Sequence, residues 1–249
     1  MFKKAIALIA CALFSANIMA FDISKTIKNA GGDLLKAATV SPKDVINQAK
    51  ASAKYLDSKN KINKKETARL NNLAKKLTLP KMEGVKFNFK VYQTDPDDIN
   101  AFAMPDGTIR FHSALMKSMN DEQVLAVLGH EIGHVAGKHS FNQMRKALLT
   151  SAAIRGAAGQ SSIGTETYNA GAGEMAEKFA SASYSKSDEY KADTYAVKTL
   201  NESGINPEAM ADAIQILKDK FGNGGGIMST HPINEKRIKR INKSISKLK

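Results

Sequence analysis

Apolar side chains recur at intervals of three and four residues along most of the chain, which is the spacing of one buried helix face. Two such runs, 42–58 and 65–77, precede Pro80, and this proline ends the second run because it cannot continue a helix. A longer run begins after Asn120, a residue suited to capping a helix, and passes through residue 139. Further helices are predicted over 141–154, 173–184 and 187–203, from Pro207 onward and after Pro232. Two glycine-rich stretches are predicted as a loop and a hinge, 156–173 and 222–226.

Between the helical regions the pattern changes to alternation of apolar and polar residues. This predicts strands over 85–93 and 108–112, with a shorter strand at 100–104. Turn-forming residues at 95–98 and 105–107 separate the strands. We therefore expect a small antiparallel meander. Helices, a small sheet and helices again, in that order, predict a mainly helical α+β fold.

The first twenty residues have the features of an export signal. Lys3 and Lys4 precede an apolar run over residues 5–14, and small Ala20 stands at a plausible cleavage point before Phe21. The run is too short to remain as a membrane-spanning helix. The mature protein is therefore expected to be exported and to reside in the periplasm.

A lipoprotein anchored through Cys11 is the less favoured alternative. Only about six apolar residues would precede this cysteine, fewer than a signal sequence normally has. After cleavage behind Ala20 the mature chain contains no cysteine and hence no disulfide. The expected organisation is a signal peptide over 1–20, a helical segment over 21–80 and the main domain over 81–249.

Charge is unevenly distributed along the chain, whose formal net charge is +13. Residues 21–90 carry +10, residues 91–231 carry −5, and residues 232–249 carry +6. The basic flanks could contact anionic membrane surfaces or acidic partners, but lysines that keep exposed helices soluble are the preferred explanation. Nucleic acid is not an expected partner, since the basic clusters contain no interleaved aromatic residues and no recognition motif.

Three of the five histidines lie in the stretch LGHEIGHVAGKH, residues 128–139. His130 and His134 are four residues apart, so both imidazoles project from one helix face and can reach a single Zn²⁺. Glu131 follows the first histidine and is placed to take a proton from water, which completes the H-E-x-x-H pattern of zinc peptidases. On a continuous helix His139 would lie about 180° from His130, so we expect it to pack or to form hydrogen bonds instead of binding the metal.

The stretch DEYKAD, residues 188–193, offers a third protein ligand. Glu189 and Asp193 are also four residues apart; Glu189 could bind the metal, and Asp193 could accept the free N–H of a ligand histidine. A solvated carboxylate pair is the alternative. His231, in STHP, could stabilise an oxyanion, occupy the open metal position in a resting state, or have no role beyond starting a helix.

In combination these pieces resemble metallopeptidase family forty-eight, the HtpX and Oma type. The resemblance runs from NAFAMPDGTIRF through LAVLGHEIGHVAGKH and YSKSDEYKADTYAV to STHPINEKRI, about residues 85–240. It implies a zincin-like fold of the gluzincin type built around an active-site helix. The stretch TIRFH, 108–112, would be an edge strand along which an extended peptide binds. The chain differs from many relatives in lacking a transmembrane span and in having Lys186 where an arginine is frequent.

The resemblance also implies roles for individual residues. His130, His134 and Glu189 would bind one zinc ion per chain, and Glu131 would be the general base. Asp193 would support the site, while His231 and Arg237 would lie close to it.

The leading hypothesis is therefore an exported zinc endopeptidase whose substrates are polypeptides, in particular misfolded or damaged proteins of the cell envelope. A zinc-containing, chaperone-like module that binds polypeptide without cutting it is the alternative. A membrane-surface adaptor built on the basic helices, with a merely structural metal, is a third and weaker reading.

Overall fold

The computed structural model describes residues 40–157, 171–222, 226–232 and 235–248. The expected signal peptide, most of the loop predicted over 156–173 and the centre of the hinge at 222–226 lie outside the described residues. Residues 40–148 and the described residues from 171 onward form one compact unit, to which residues 149–157 do not belong. Within the described residues, no helix is both long and apolar enough to cross a membrane.

The described chain is mainly helical with one small sheet, which confirms the predicted α+β class. The helices are α1 (Pro42–Lys59), α2 (Lys64–Ala74), α3 (Ser113–Ser118), α4 (Asp121–Ala136), α5 (His139–Ala157), α6 (Ala172–Ser181), α7 (Lys186–Glu202), α8 (Ala209–Phe221) and α9 (Glu235–Ser246). The strands are β1 (Asn88–Tyr92), β2 (Ala101–Ala103) and β3 (Thr108–His112), and a short 3₁₀ turn covers Gly226–Ser229.

A side-chain cap explains where α4 begins. Asn120 accepts a hydrogen bond from the backbone N–H of Gln123, and the Gln123 side chain accepts one from the Asn120 backbone. This reciprocal cap satisfies two N–H groups that the first turn leaves without partners. Acidic Asp121 and Glu122 occupy the positive end of the same helix. The predicted start of the active-site helix is thus confirmed.

The sheet is mixed, so the prediction of an antiparallel meander is wrong. Its strand order is β1-β3-β2, with β3 parallel to β1 and antiparallel to β2. Alternating polarity indicates which residues share a sheet face, but it does not fix the neighbour or the direction of a strand. Because β3 is central, TIRFH is not an edge strand, and the expected substrate platform is misplaced. The sheet edges are β1 and β2.

Helices α4 and α7 approach each other closely through small residues. A Cβ atom on Gly133 would lie 3.0 Å from the Cα atom of Ala192, and one on Gly129 would lie 3.3 Å from that of Ala196. Each glycine directly precedes a histidine of the H-E-x-x-H pattern. The close contact therefore brings the histidines of α4 against the carboxylates of α7.

Helix α4 ends earlier than the sequence suggested. It stops at Ala136, the backbone of Lys138 takes the left-handed conformation with φ of 57°, and α5 starts at His139. The prediction that this helix continues through residue 139 is therefore wrong, because a two-residue turn interrupts it. The expected separation of about 180° between His139 and His130 holds only for a continuous helix, so it does not apply here. The turn instead brings the His139 imidazole back towards α4.

Candidate metal centre

Four buried side chains from three parts of the chain converge on one point. His130 and His134 come from α4, Glu189 from α7 and His231 from the segment after the 3₁₀ turn, and one potential ligand atom of each lies within 4.8 Å of all the others. The Nε2 atoms of His130 and His134 are 3.0 Å apart. Glu189 Oε1 lies 3.4 Å from His134 Nε2 and 3.1 Å from His231 Nδ1.

These separations fit a small tetrahedral metal ion. Donor atoms at the corners of a tetrahedron, each about 2.0–2.1 Å from a central zinc ion, would be about 3.3 Å apart. His231 Nδ1 lies 3.3 Å from His130 Nε2, and Glu189 Oε2 lies 3.6 Å from the same nitrogen. Three imidazoles and a carboxylate are the nitrogen and oxygen donors that zinc accepts. The residues present therefore suit a zinc ion in both spacing and chemistry.

The charge states of His134 and Glu189 suit metal binding as well. Burial lowers the pKa of His134 well below its ordinary value, despite the nearby Glu189 carboxylate, so the imidazole is neutral at neutral pH. Burial works to raise the pKa of Glu189, but the Arg237 guanidinium and His231 outweigh it and hold this pKa well below the usual range. A neutral imidazole and an ionised carboxylate are the forms that bind metal ions.

Asp193 supports the cluster from outside the donor set. Its Oδ1 lies 2.9 Å from His130 Nδ1, the ring nitrogen that faces away from the other donors. Both oxygens of Asp193 accept hydrogen bonds from Arg237, at 2.7 and 2.9 Å. Burial would raise the pKa of Asp193, but Arg237 and His130 lower it, so the carboxylate is ionised.

Arg237 ties this corner of the site together. Besides Asp193, its guanidinium contacts Glu189 and the backbone carbonyl oxygens of His231 and Pro232. The side chain is 1% exposed, so its charge is balanced within the protein by the two carboxylates. One arginine of α9 thereby connects α7 with the segment that carries His231.

Glu131 differs from the other carboxylates of the site. Its side chain is 0% exposed, yet neither carboxylate oxygen has a hydrogen-bond partner among the described residues. Its Oε1 lies 3.6 Å from His231 Nε2. Burial raises the pKa of Glu131, although His231 and His130 counteract the effect. A buried carboxyl group without a hydrogen bond is costly, and such groups concentrate where a protein binds or transforms a ligand.

His231 is the fourth member of this cluster and lies directly beside Glu131. Its backbone N–H donates to the carbonyl of Ile227, which fixes the segment after the 3₁₀ turn. Burial works to lower its pKa, but the carboxylates of Glu189 and Glu131 outweigh burial and raise it. Residues 233–234 lie outside the described residues, and the described part of α9 begins at Glu235.

Two further side chains, those of Tyr184 and His139, fix the ring of His134. Neither contact was predicted from the sequence. The Tyr184 ring stacks on that of His134 with centroids 3.8 Å apart, and His139 Nδ1 lies 3.2 Å from His134 Nδ1 in a hydrogen bond. Tyr184 directly precedes Ser185, the N-cap of α7, and no periodicity distinguishes such a position. His139 was expected to pack or form hydrogen bonds, but the partner could not be foreseen without the turn at 137–138.

A narrow apolar pocket opens beside Glu131. It lies between α4, α8 and the 3₁₀ turn, and His130, His231 and Arg237 border it. Its apolar lining consists of Val127, Met210, Ile214, Leu217, Ile227 and Met228. The pocket therefore places apolar side chains directly beside the candidate catalytic carboxylate.

A cluster that could hold a metal ion, built on an H-E-x-x-H helix with a carboxylate from a second helix, is the arrangement of one class of zinc metallopeptidases. The sequence model described as Peptidase family M48 matches residues 61–245. The chain belongs to this family, and it is a metalloprotease. Its mainly helical architecture with a small mixed sheet is consistent with the zincin-like fold expected from the sequence.

Individual relatives agree with this assignment. The chain is 32% identical over 222 residues to metalloprotease YcaL of Escherichia coli, covering 88% of this chain and 86% of that protein. It is also 32% identical over 227 residues to metalloprotease LoiP of the same organism, covering 90% and 89%. The beta-barrel assembly-enhancing protease of Escherichia coli is 31% identical over 185 residues, which cover 69% of this chain and 37% of that protein.

Proposed function

We propose that this chain is a zinc-dependent endopeptidase that hydrolyses peptide bonds in polypeptide substrates. His130, His134 and Glu189 would hold one zinc ion, with Asp193 orienting the first of these histidines. When bound, zinc supplies Lewis acidity, which lowers the pKa of a water molecule to about 7 and polarises a carbonyl group.

Glu131 is the proposed general base, and its environment is the observation that carries the proposal. The side chain is fully buried beside the donor cluster, and its two oxygens have no hydrogen-bond partner within the described part of the chain. A raised pKa makes this carboxylate a better proton acceptor than an ordinary glutamate. Glu131 would take the proton of the attacking water and pass it to the leaving amine. A module that only bound polypeptide would not require such a group.

His231 is the second proposed catalytic residue, as a hydrogen-bond donor to the oxyanion that forms from the peptide carbonyl. Its raised pKa favours the protonated form that donates from both nitrogens. If this role is correct, a His231→Ala variant loses about 10²–10³-fold in kcat. A variant that is faster than the wild type would instead indicate that His231 blocks the metal in a resting state.

The apolar pocket supports a polypeptide substrate with an apolar residue near the scissile bond. Val127 lies one helical turn before Glu131 on α4. Met210 and Ile214 of α8 line the same pocket. An apolar side chain placed there would leave water and bring its neighbouring peptide group towards Glu131. Filling the pocket with Val127→Phe should therefore raise KM for unfolded casein more than it lowers kcat.

The central test compares metal content and proteolysis. Purified mature protein should contain one zinc per chain, cleave casein, lose activity on chelation and regain it when zinc is restored. A Glu131→Gln variant should keep its zinc and lose about 10²–10⁴-fold in activity. Glu122→Gln is the matched control, because this exposed glutamate lies on the first turn of the same helix. Unchanged cleavage by Glu131→Gln would refute the mechanism.

We further propose that the enzyme is exported and acts on misfolded or damaged proteins of the cell envelope. The features of residues 1–20 support export, and one relative is named a beta-barrel assembly-enhancing protease. The mature N-terminus distinguishes the two routes: a chain that begins at Phe21 indicates the expected periplasmic form, whereas a lipid-modified Cys11 indicates an anchored one. The division at residue 80 and membrane association through the basic flanks remain predictions.

A further inference from the structure

The two histidines of α4 present their second ring nitrogens to different partners. His130 turns Nδ1 towards the carboxylate of Asp193, at 2.9 Å. His134 turns Nδ1 towards another imidazole, that of His139, at 3.2 Å. Both His134 and His139 are buried, at 0% and 5% exposure, so water does not replace this contact. The second ligand histidine therefore has a protein partner that the proposed mechanism does not use.

When a metal is bound, only one of the two histidines can be the donor in the hydrogen bond between His134 and His139. A histidine that binds metal through Nε2 carries its proton on Nδ1, so His134 donates from Nδ1. His139 must then accept with an unprotonated Nδ1 and carry its own proton on Nε2. That Nε2 faces Oδ1 of Asp188 at 3.5 Å, a separation at which the nitrogen forms no hydrogen bond but the negative carboxylate still favours a proton on Nε2. The tautomers from Asp188 through His139 to His134 are thus mutually consistent.

The backbone at the end of α4 is shaped to permit this contact. Helix α4 stops at Ala136, Lys138 adopts φ of 57°, and His139 begins α5. A Cβ atom at Gly137 would lie 2.5 Å from Nε2 of His139, so any other residue there would displace the imidazole. On its face, the His134 ring is covered by Tyr184. Stacking fixes the plane of this ring, and the hydrogen bond fixes its rotation within that plane.

We propose that His139 is a positioning residue, which holds the metal-binding tautomer and orientation of His134, and that Asp188 fixes the tautomer of His139. This inference rests on the proposed metal site at His130, His134 and Glu189. It assigns to His139 the task that Asp193 performs for His130, with a neutral acceptor in place of a charged one. Partners of this kind typically contribute 10–100-fold to metal affinity.

Two substitutions separate hydrogen bonding from packing. His139→Phe keeps an aromatic ring but removes the acceptor, whereas His139→Asn keeps an acceptor close to the position of Nδ1. Zinc affinity is measured by competition with a chromogenic chelator, and the melting temperature of the metal-free protein reports on folding. We expect about 10–100-fold weaker zinc binding for His139→Phe and recovery to within a few-fold of the wild type for His139→Asn. His112→Phe, the same change in a histidine of β3 away from the metal cluster, should not alter zinc affinity.

The outcomes also distinguish this inference from the proposed function. If the wild type binds zinc and His139→Phe binds it equally well, or if His139→Asn is as impaired as His139→Phe, the role of His139 is overturned and the zinc site stands. If the wild type binds no zinc, both fall. Should His139→Phe fail to fold, Asp188→Asn provides a second route: we expect a smaller loss of zinc affinity, and an unchanged affinity would refute the role of Asp188.

Discussion

Two arginine–aspartate pairs, each with a buried arginine, hold different parts of this protein together. In the sheet region, Arg110 of β3 donates to both oxygens of Asp57 on α1, at 2.8 and 3.0 Å. In the metal region, Arg237 of α9 donates to both oxygens of Asp193 on α7, at 2.9 and 2.7 Å. The geometry of the two pairs is nearly the same, but their surroundings differ.

The Asp57 pair is surrounded by groups that complete its hydrogen bonds. Lys90 and the hydroxyl of Tyr92 also donate to Asp57, and Arg110 donates to the backbone carbonyls of Asn88 and Ile109. The guanidinium of the Asp193 pair instead lines the same pocket as Glu131, whose two buried carboxylate oxygens have no hydrogen-bond partner among the described residues. A network that satisfies its own members stabilises a fold, whereas one with unsatisfied neighbours indicates a site that acts on a ligand.

The largest expected effect comes from breaking the pair in the metal region. Asp193→Ala removes the acceptor of His130 and leaves one carboxylate fewer around the buried Arg237. Zinc affinity should fall about 10–100-fold, and the free energy of unfolding of the metal-free protein should fall by roughly 3–5 kcal/mol. Chelator competition and urea denaturation measure the two quantities. Wild-type zinc affinity in this variant would contradict the supporting role of Asp193.

The matched change in the sheet region should affect stability alone. Asp57→Ala deprives the 2%-exposed Arg110 of its charged partner, so we expect a loss of about 3 kcal/mol in the free energy of unfolding. Zinc affinity should remain within a factor of two of the wild type. If zinc affinity fell as far as in Asp193→Ala, the division between a structural and a functional pair would be wrong.

A smaller effect is expected where α4 and α7 meet. Gly133→Ala places a methyl group 3.0 Å from the Cα atom of Ala192, which should cost about 1–3 kcal/mol of stability and weaken zinc binding by separating the helices. Gly129→Ala is the comparison variant, because the added methyl group would lie 3.3 Å from its nearest neighbour. We expect it to lose less stability and less zinc affinity than Gly133→Ala. Equal zinc affinity in Gly133→Ala and the wild type would show that the helices can adjust.

The smallest effects should appear in the pH dependence of stability, with opposite signs in the two regions. Burial works to raise the pKa of Asp57, but Arg110 and Lys90 lower it below 3.8. Its contribution is therefore complete above that pH and is lost as the pH falls through the folded-state pKa. The pKa of Glu131 is raised from 4.5, so its contribution is complete below that pH and is lost as the pH rises through the folded-state pKa.

Urea denaturation of metal-free proteins between pH 3 and pH 7 can measure this contrast. Asp57→Asn should be less stable than the wild type at pH 7, and the difference should shrink below pH 3.8. Glu131→Gln should be more stable than the wild type at pH 7 and approach it below pH 4.5. Parallel pH profiles for both variants would contradict the opposite shifts.

Local signals predicted a large part of the fold and of the site. The cap at Asn120, the strand over 108–112 and the four-residue spacings within α4 and α7 depend on neighbours in sequence, so a sequence alone reveals them. The spacing between His130 and His134 also predicted that they share a helix face. That Glu189 joins them, and that Asp193 contacts His130, followed from chemistry combined with family resemblance.

The remaining features depend on contacts between distant residues. Parallel pairing of β1 with β3 is set by the path of the chain over residues 93–107, which alternation of side chains does not encode. The turn after Ala136 depends on a left-handed Lys138, an uncommon conformation for lysine that the apolar pattern does not indicate. The approach of Gly133 to Ala192 was visible only as small residues four apart on two helices, a pattern that many alanine-rich helices share.

The close contact of α4 with α7 has a consequence for how the enzyme acquires its metal. Three of the four donors are mounted on two helices whose backbones touch, so their spacing is set by the polypeptide before any ion arrives. Folding would then come first and loading second. Protein stripped by a chelator should keep its far-ultraviolet circular dichroism spectrum and recover full activity within the time that zinc needs to diffuse in, without a refolding step.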